Sequence, residues 1–163
     1  MQDKIKVLMV CHGNICRSTM AESVFTDMVD KLGLLSQFEI DSAATSREEI
    51  GNPPHYGTRA KLAQVGIPVV PHRARQMTQS DYEYYDYLIG MDSANIRNMK
   101  RIAGNAASDE KIYKMLSFAD YKKNQCLQEA DDVADPWYTG DFEVTYRDIV
   151  AGCEGFLEYL GYR

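Results

Sequence analysis

A three-layer α/β sandwich, formed by one domain over residues 1–163 around a four-stranded parallel sheet, is the fold predicted by three observations. Short apolar, β-branched runs alternate with longer segments that carry an apolar stripe at helical spacing. The runs stop at residues suited to turns and helix starts, as βαβ units require. The composition also fits, because 163 residues with 45% hydrophobic and 26% charged content can bury one core without disulfides or a structural metal.

Residues 5–10 (Ile-Lys-Val-Leu-Met-Val) read as the first, buried strand, which ends at Cys11. Met20, Val24, Phe25, Met28, Val29 and Leu32 then form a helical stripe that closes near Gly33, with Thr19 and Glu22 spaced as a capping box. Residues 38–43 read as a second strand. After Pro53-Pro54, a helix is expected from about Tyr56 to Val65, closed by Gly66. Residues 87–91 form the third strand and lead through Asp92 and Ser93 into a helix ending near Gly104. Residues 111–116 form the fourth strand. The last helix runs from about Phe142 to Leu160, with Ile149, Cys153, Phe156 and Leu157 among its apolar positions. Tyr82, Tyr84, Tyr85 and Tyr87 read as a packing surface or a dimer contact.

The formal net charge of −6 argues against nucleic acid as the main partner, because phosphate-backbone binding needs clustered Lys and Arg. No stretch is long enough for a signal segment or a membrane span, so a cytoplasmic setting is expected. In that reducing setting the four cysteines, Cys11, Cys16, Cys126 and Cys153, are catalytic, metal-binding or buried rather than disulfide-bonded. Cys153 belongs to the core stripe, and Cys126 lies in a polar segment without a visible partner. His12, His55 and His72 are scattered, so no metal site is expected. A monomer is the simplest state for a domain of this size.

The chemistry concentrates in Cys11-His12-Gly13-Asn14-Ile15-Cys16-Arg17-Ser18, between the first strand and the first helix. Ligands of parallel sheets bind beyond the carboxyl ends of the strands. A helix N-terminus there favours an anion. Gly13 can turn with positive φ, and Asn14 tolerates the left-handed region, so the backbone can form a concave nest of N–H groups. Arg17 adds a planar, permanently charged fork for two phosphate oxygens. The same donors favour a thiolate at Cys11, which is then a nucleophile toward phosphorus. Ser18 is placed to hydrogen-bond the sulfur.

These residues resemble the low-molecular-weight protein tyrosine phosphatase family, whose signature reads Cys-x-Gly-Asn-x-Cys-Arg-Ser after an N-terminal strand. Asp135-Pro136-Trp137-Tyr138 ahead of the last helix, Asp-Ser-Ala-x-Thr at 41–45 and Gly-Met-Asp at 90–92 extend the resemblance along nearly the whole chain. It implies Cys11 as nucleophile, Arg17 as phosphate clamp, and Asp135 as the acid that protonates the leaving phenol and then activates water. His12, Gly13, Asn14, Ile15, Cys16 and Ser18 would surround the phosphate, with Ile15 at the pocket floor. Trp137 and Tyr138 would wall the cleft, and Asn14 and Ser42 would shape the loop by hydrogen bonding. The implied substrates are phosphotyrosine proteins and small aryl phosphates, turned over without a cofactor or metal. The resemblance also implies a reversible, protective disulfide between Cys16 and Cys11, which would make the enzyme redox-regulated.

Two positions depart from the family pattern. Ala44 stands where Gly is common. Arg47-Glu48-Glu49 stands where an aromatic residue is common, and carboxylates at the cleft rim would disfavour acidic peptides. Asp135-Pro136 also reads as a plain turn. His72 and Asp92 are candidates for a structural pair. Three other functions compete with phosphotyrosine hydrolysis. Arsenate reduction needs relay cysteines around residues 80–90, where this chain has none. Protein-arginine phosphatases of the same fold carry Thr where this chain has Ile15. A binding module without turnover would have lost Cys11 or Asp135.

Overall fold

The computed structural model describes residues 3–104, 109–119 and 131–162. Cys126 lies outside these residues. Four parallel strands, β1 (Ile5–Cys11), β2 (Phe38–Ala44), β3 (Tyr87–Gly90) and β4 (Ile112–Lys114), form one sheet in the order β2-β1-β3-β4. The single-domain α/β sandwich expected from the sequence is thus the fold observed. β1 is central, and Val7 to Val10 are completely buried, which explains its unbroken apolar run.

The period of two along β1 separates the two faces. Val7, Met9 and Cys11 join one core with Met20, Val24 and Phe25 of α1 (Arg17–Lys31) and Ile149, Cys153, Phe156 and Leu157 of α7 (Phe142–Tyr159). Leu8 and Val10 join the other core, with Tyr82 of α3 (Gln79–Tyr84) and Ile96 and Met99 of α4 (Ser93–Ala103). The remaining helices are α2 (Tyr56–Gln64), α5 (Met115–Ala119) and α6 (Pro136–Thr139). Among the described residues, no helix is long and apolar enough to cross a membrane.

Three expectations need correction. Helix α1 starts at Arg17, two residues before the expected cap. The Thr19 hydroxyl instead donates back to the carbonyls of Ile15 and Cys16, and Glu22 is bonded to Ser42. The fourth strand ends at Lys114, because Met115 and Leu116 turn into α5 and pack against α7. The short helix α3 was not expected, although Thr78 and Asp81 form a true capping box there. The tyrosine run is a packing surface, one of its two readings, and it divides between the faces. Tyr82 and Tyr85 are buried against Leu8 and Val10, Tyr87 stacks edge-on with Phe156, and Tyr84 stays half exposed with its hydroxyl on Glu39.

The seam between α5 and α7 depends on two glycines. A Cβ at Gly152 would come within 2.5 Å of the Met115 side chain, and one at Gly155 within 1.8 Å of the Phe118 carbonyl oxygen.

Candidate active site

The loop from Cys11 to Cys16 leaves the carboxyl end of the central strand and enters α1 at Arg17. Three of its carbonyls accept hydrogen bonds from neighbouring segments. His12 C=O accepts the Ser46 N–H at 3.1 Å, Ile15 C=O accepts the His55 N–H at 2.8 Å, and Cys16 C=O accepts the Thr58 hydroxyl at 3.3 Å. The C=O and N–H of a trans peptide point in opposite directions. The N–H groups of Gly13, Cys16 and Arg17 therefore face away from those partners.

Asn14, not Gly13, carries the left-handed backbone, with φ of 60°. Its side chain holds it there. Nδ2 donates to Ser18 Oγ at 2.7 Å, and Oδ1 accepts from His72 Nε2 at 2.6 Å and from the Arg75 N–H at 3.2 Å. Completely buried Asn14 and Ser18 thus stand behind the loop, and their side chains do not line the cleft as expected. Ser18 Oγ lies 3.0 Å from Cys11 Sγ, and the Asn14 N–H reaches that sulfur at 3.3 Å. Two donors therefore converge on the sulfur once it is a thiolate.

Ser42 supports the loop indirectly. Its hydroxyl donates to Glu22 Oε1 at 2.5 Å and lies 3.2 Å from His72 Nε2, so it reaches Asn14 through His72. Glu22, Asp41 and His72 gather there within 4.8 Å of one another. Burial pushes the Glu22 carboxyl up to about 8, against the opposing Ser42 hydrogen bond. The expected pair of His72 with Asp92 is not formed, because Asp92 lies on the other side of the loop beside Arg17. Sequence reasoning missed the supporting roles of Glu22, His72 and Arg75. Ala44 is accommodated in a bridge to residues 75–77, with its N–H on Arg75 C=O at 2.7 Å.

Arg17 is 3% exposed. Its Nη1 donates to Asp92 Oδ2 at 2.9 Å and to Val133 C=O at 3.2 Å, and its Nη2 to Asp135 Oδ2 at 3.3 Å. These bonds leave Nε–H and one Nη2–H for an anion. Burial works against the charge, but Cys11, Asp92 and Asp135 outweigh it and hold the guanidinium more firmly protonated than usual. Asp135 also caps α6, with Oδ1 accepting the Trp137 N–H at 3.0 Å. This is the turn that the sequence Asp135-Pro136 suggested. Cys16 is 7% exposed, and burial, reinforced by Cys11 and Asp135, pushes its thiol up to about 12. It is neutral near pH 7.

These groups meet in a cleft of about 380 Å³, lined by Cys11, His12, Gly13, Ile15, Cys16, Arg17, Glu48, Glu49, Asp92, Asp135, Trp137 and Tyr138, among others. The His12 ring turns to the rim, where Nε2 lies 3.0 Å from Glu48 Oε2. Trp137 packs edge-on against His55, whose ring stacks on Phe142.

A profile of the family described as low molecular weight phosphotyrosine protein phosphatase matches residues 6–163. The chain is 42% identical over 153 residues, 94% of each chain, to the low molecular weight protein-tyrosine-phosphatase YfkJ of Bacillus subtilis strain 168. The crystal structure of YfkJ superposes with a TM-score of 0.88 at 39% identity, over 98% of this chain and 96% of that one. The structure of a Drosophila arginine phosphatase, DARP, superposes with a TM-score of 0.80 at 27% identity, over 94% of this chain and 96% of that one. On the family match, the chain belongs to the low molecular weight phosphotyrosine protein phosphatases and is an enzyme of that class.

Proposed function

We propose that this enzyme hydrolyses phosphotyrosine in proteins, and small aryl phosphates, through a cysteinyl-phosphate intermediate. The observation that carries the reading is the convergence of Cys11, Arg17 and Asp135 on one cleft, with Asp135 Oδ2 3.3 Å from Arg17 Nη2. The dianion enters the N–H nest, and Arg17 takes two of its oxygens with the donors left free. The Cys11 thiolate attacks phosphorus as the P–O bond to the phenol breaks, and Asp135 gives its proton to that oxygen. In the second step Asp135, now a carboxylate, removes a proton from water as the water displaces sulfur. The thiolate leaves with the Ser18 hydroxyl and the Asn14 N–H directed at it. Inorganic phosphate is released and Asp135 is protonated again.

Apolar Ile15 at the floor, with Trp137 and Tyr138 at the wall, suits an aryl ring better than a phosphorylated guanidinium. The test is phosphate release from a phosphotyrosine peptide and a phosphoarginine peptide, with EDTA present and Cys11→Ser as control. Preference for phosphotyrosine, unaffected by chelator and reduced to background by the substitution, is expected. Preference for phosphoarginine would keep the mechanism and replace the substrate. Absence of turnover by folded protein would defeat the reading.

A further inference from the structure

Lys114, the last residue of β4, is buried to 3% side-chain exposure at the carboxyl edge of the sheet. Its Nζ donates to Ser93 Oγ at 2.9 Å and pairs with Asp132 Oδ1 at 2.7 Å. The same carboxylate oxygen accepts the Ser93 N–H at 3.1 Å. A buried ammonium is costly unless its counter-charge is in place, so the position of Asp132 is coupled to the pair.

Two short arms lead from this junction to the cleft. Along one, Ser93 adjoins Asp92, whose Oδ2 accepts from Arg17. Along the other, Asp132 adjoins Val133, whose N–H donates to Met91 C=O at 2.8 Å and whose own C=O accepts from Arg17 at 3.2 Å. Ala134 is held next, with its N–H on Asp148 Oδ2 at 3.1 Å and its C=O on the Thr145 hydroxyl at 2.7 Å. Asp135 follows directly. Both arms end on the same guanidinium.

We propose that Lys114 is a positioning residue which, through Asp132, sets where Asp135 stands relative to Arg17 and to the substrate's leaving oxygen. The proposal rests on the general-acid reading of Asp135. A displacement of about 1 Å in a catalytic group can cost up to about 100-fold in rate. A loosened acid matters most when the leaving group needs its proton, as phenol (pKa about 10) does. It matters little for p-nitrophenol, whose anion leaves unaided.

The test compares kcat/KM for phenyl phosphate and p-nitrophenyl phosphate in Lys114→Met, Asp132→Asn and Lys114→Arg, with Asp135→Asn as reference. Lys114→Met is expected to lower the phenyl phosphate value about tenfold and the p-nitrophenyl phosphate value less than about twofold. Lys114→Arg, which keeps the charge, should recover most of the loss. Asp132→Asn changes a more than half-exposed side chain. It should reproduce the selective loss even if Lys114→Met fails to fold. Equal losses on both substrates, or none, would overturn the proposal while Asp135→Asn still widened the gap between them. If Asp135→Asn leaves that gap unchanged, the general-acid assignment falls and this proposal falls with it.

Discussion

The two sides of the loop from Cys11 to Cys16 are built on opposite principles. Behind it, the side chains of Asn14, Ser18, Glu22, Ser42 and His72 are nearly or fully buried and bonded to one another across four segments of the chain. In front of it, Trp137 is 63% exposed, Tyr138 84%, and the Glu48 side chain 70%. Among the described residues, Thr45 Oγ1 is the buried side-chain polar atom left without a partner, and it lies one residue beyond β2. Substitutions behind the loop should therefore lower stability and turnover on every substrate alike. Substitutions in front should redistribute preference among substrates and leave stability untouched.

The sharpest way to break this contrast is Asn14→Ala. It forces a left-handed alanine and leaves the partners on His72, Arg75 and Ser18 unmet. Urea titration should show a loss of about 2–4 kcal/mol, and kcat on p-nitrophenyl phosphate and phosphotyrosine should fall together by at least about tenfold. Asn14→Gly relieves the backbone strain and should return only about 1 kcal/mol. A stable, active Asn14→Ala would remove the distinction between the two sides.

The next effect is on pH dependence. Burial holds the folded-state pKa of Glu22 at about 8, above its unfolded value of about 4.3. The folded state thus binds this proton more tightly, and the stability it contributes is present at low pH and lost as pH rises through that interval. Burial lowers the pKa of His72, with Asp41 partly opposing, so its linkage has the opposite sign below about 6.5. Between pH 6.5 and 8 Glu22 dominates, and the wild type should lose about 1.5 kcal/mol relative to Glu22→Gln. Parallel pH profiles for the two proteins would show that the pocket behind the loop holds no such proton.

The smallest effect belongs to the front. With Glu48→Gln and Glu49→Gln combined, stability should change by less than about 0.5 kcal/mol. kcat/KM for acidic phosphotyrosine peptides should rise about two- to fivefold at low salt and converge with the wild-type value at high salt. Equal use of acidic and basic peptides by the wild type at low salt would remove the rim from substrate choice.

Most of the cleft-lining residues were named from the sequence, and of the support behind them Asn14, Ser18 and Ser42 were, but not Glu22, His72 and Arg75. Residues 11–18 form one contiguous run whose chemistry can be read from neighbours along the chain, whereas the roles of residues 135–138 came from the family resemblance. The support behind them joins Asn14 to His72 and Arg75, about 60 positions away, so no local pattern announces it. The same competition explains the misread start of α1. Thr19 and Glu22 have the spacing of a capping box, but Ile15, Cys16 and Ser42 offered better-placed partners. At Thr78 and Asp81 an equally local pattern is a real capping box, but the helix it starts has only six residues and so carries little periodic signal. Of the two positions suited to a left-handed backbone, Asn14 adopts it because a side chain with three partners can hold a conformation that its backbone alone would resist.

Gly152 and Gly155 limit what an engineer of this enzyme can do. Alanine in place of glycine inside a long helix is a standard route to a sturdier protein, gaining up to about 1 kcal/mol per site. Here the opposing atom at Gly155 is a main-chain carbonyl, which no rotamer change can move aside. The last helix therefore reaches its place only because it is smooth at those two points. A library that varies it freely would be purged there first, at positions far from any chemistry.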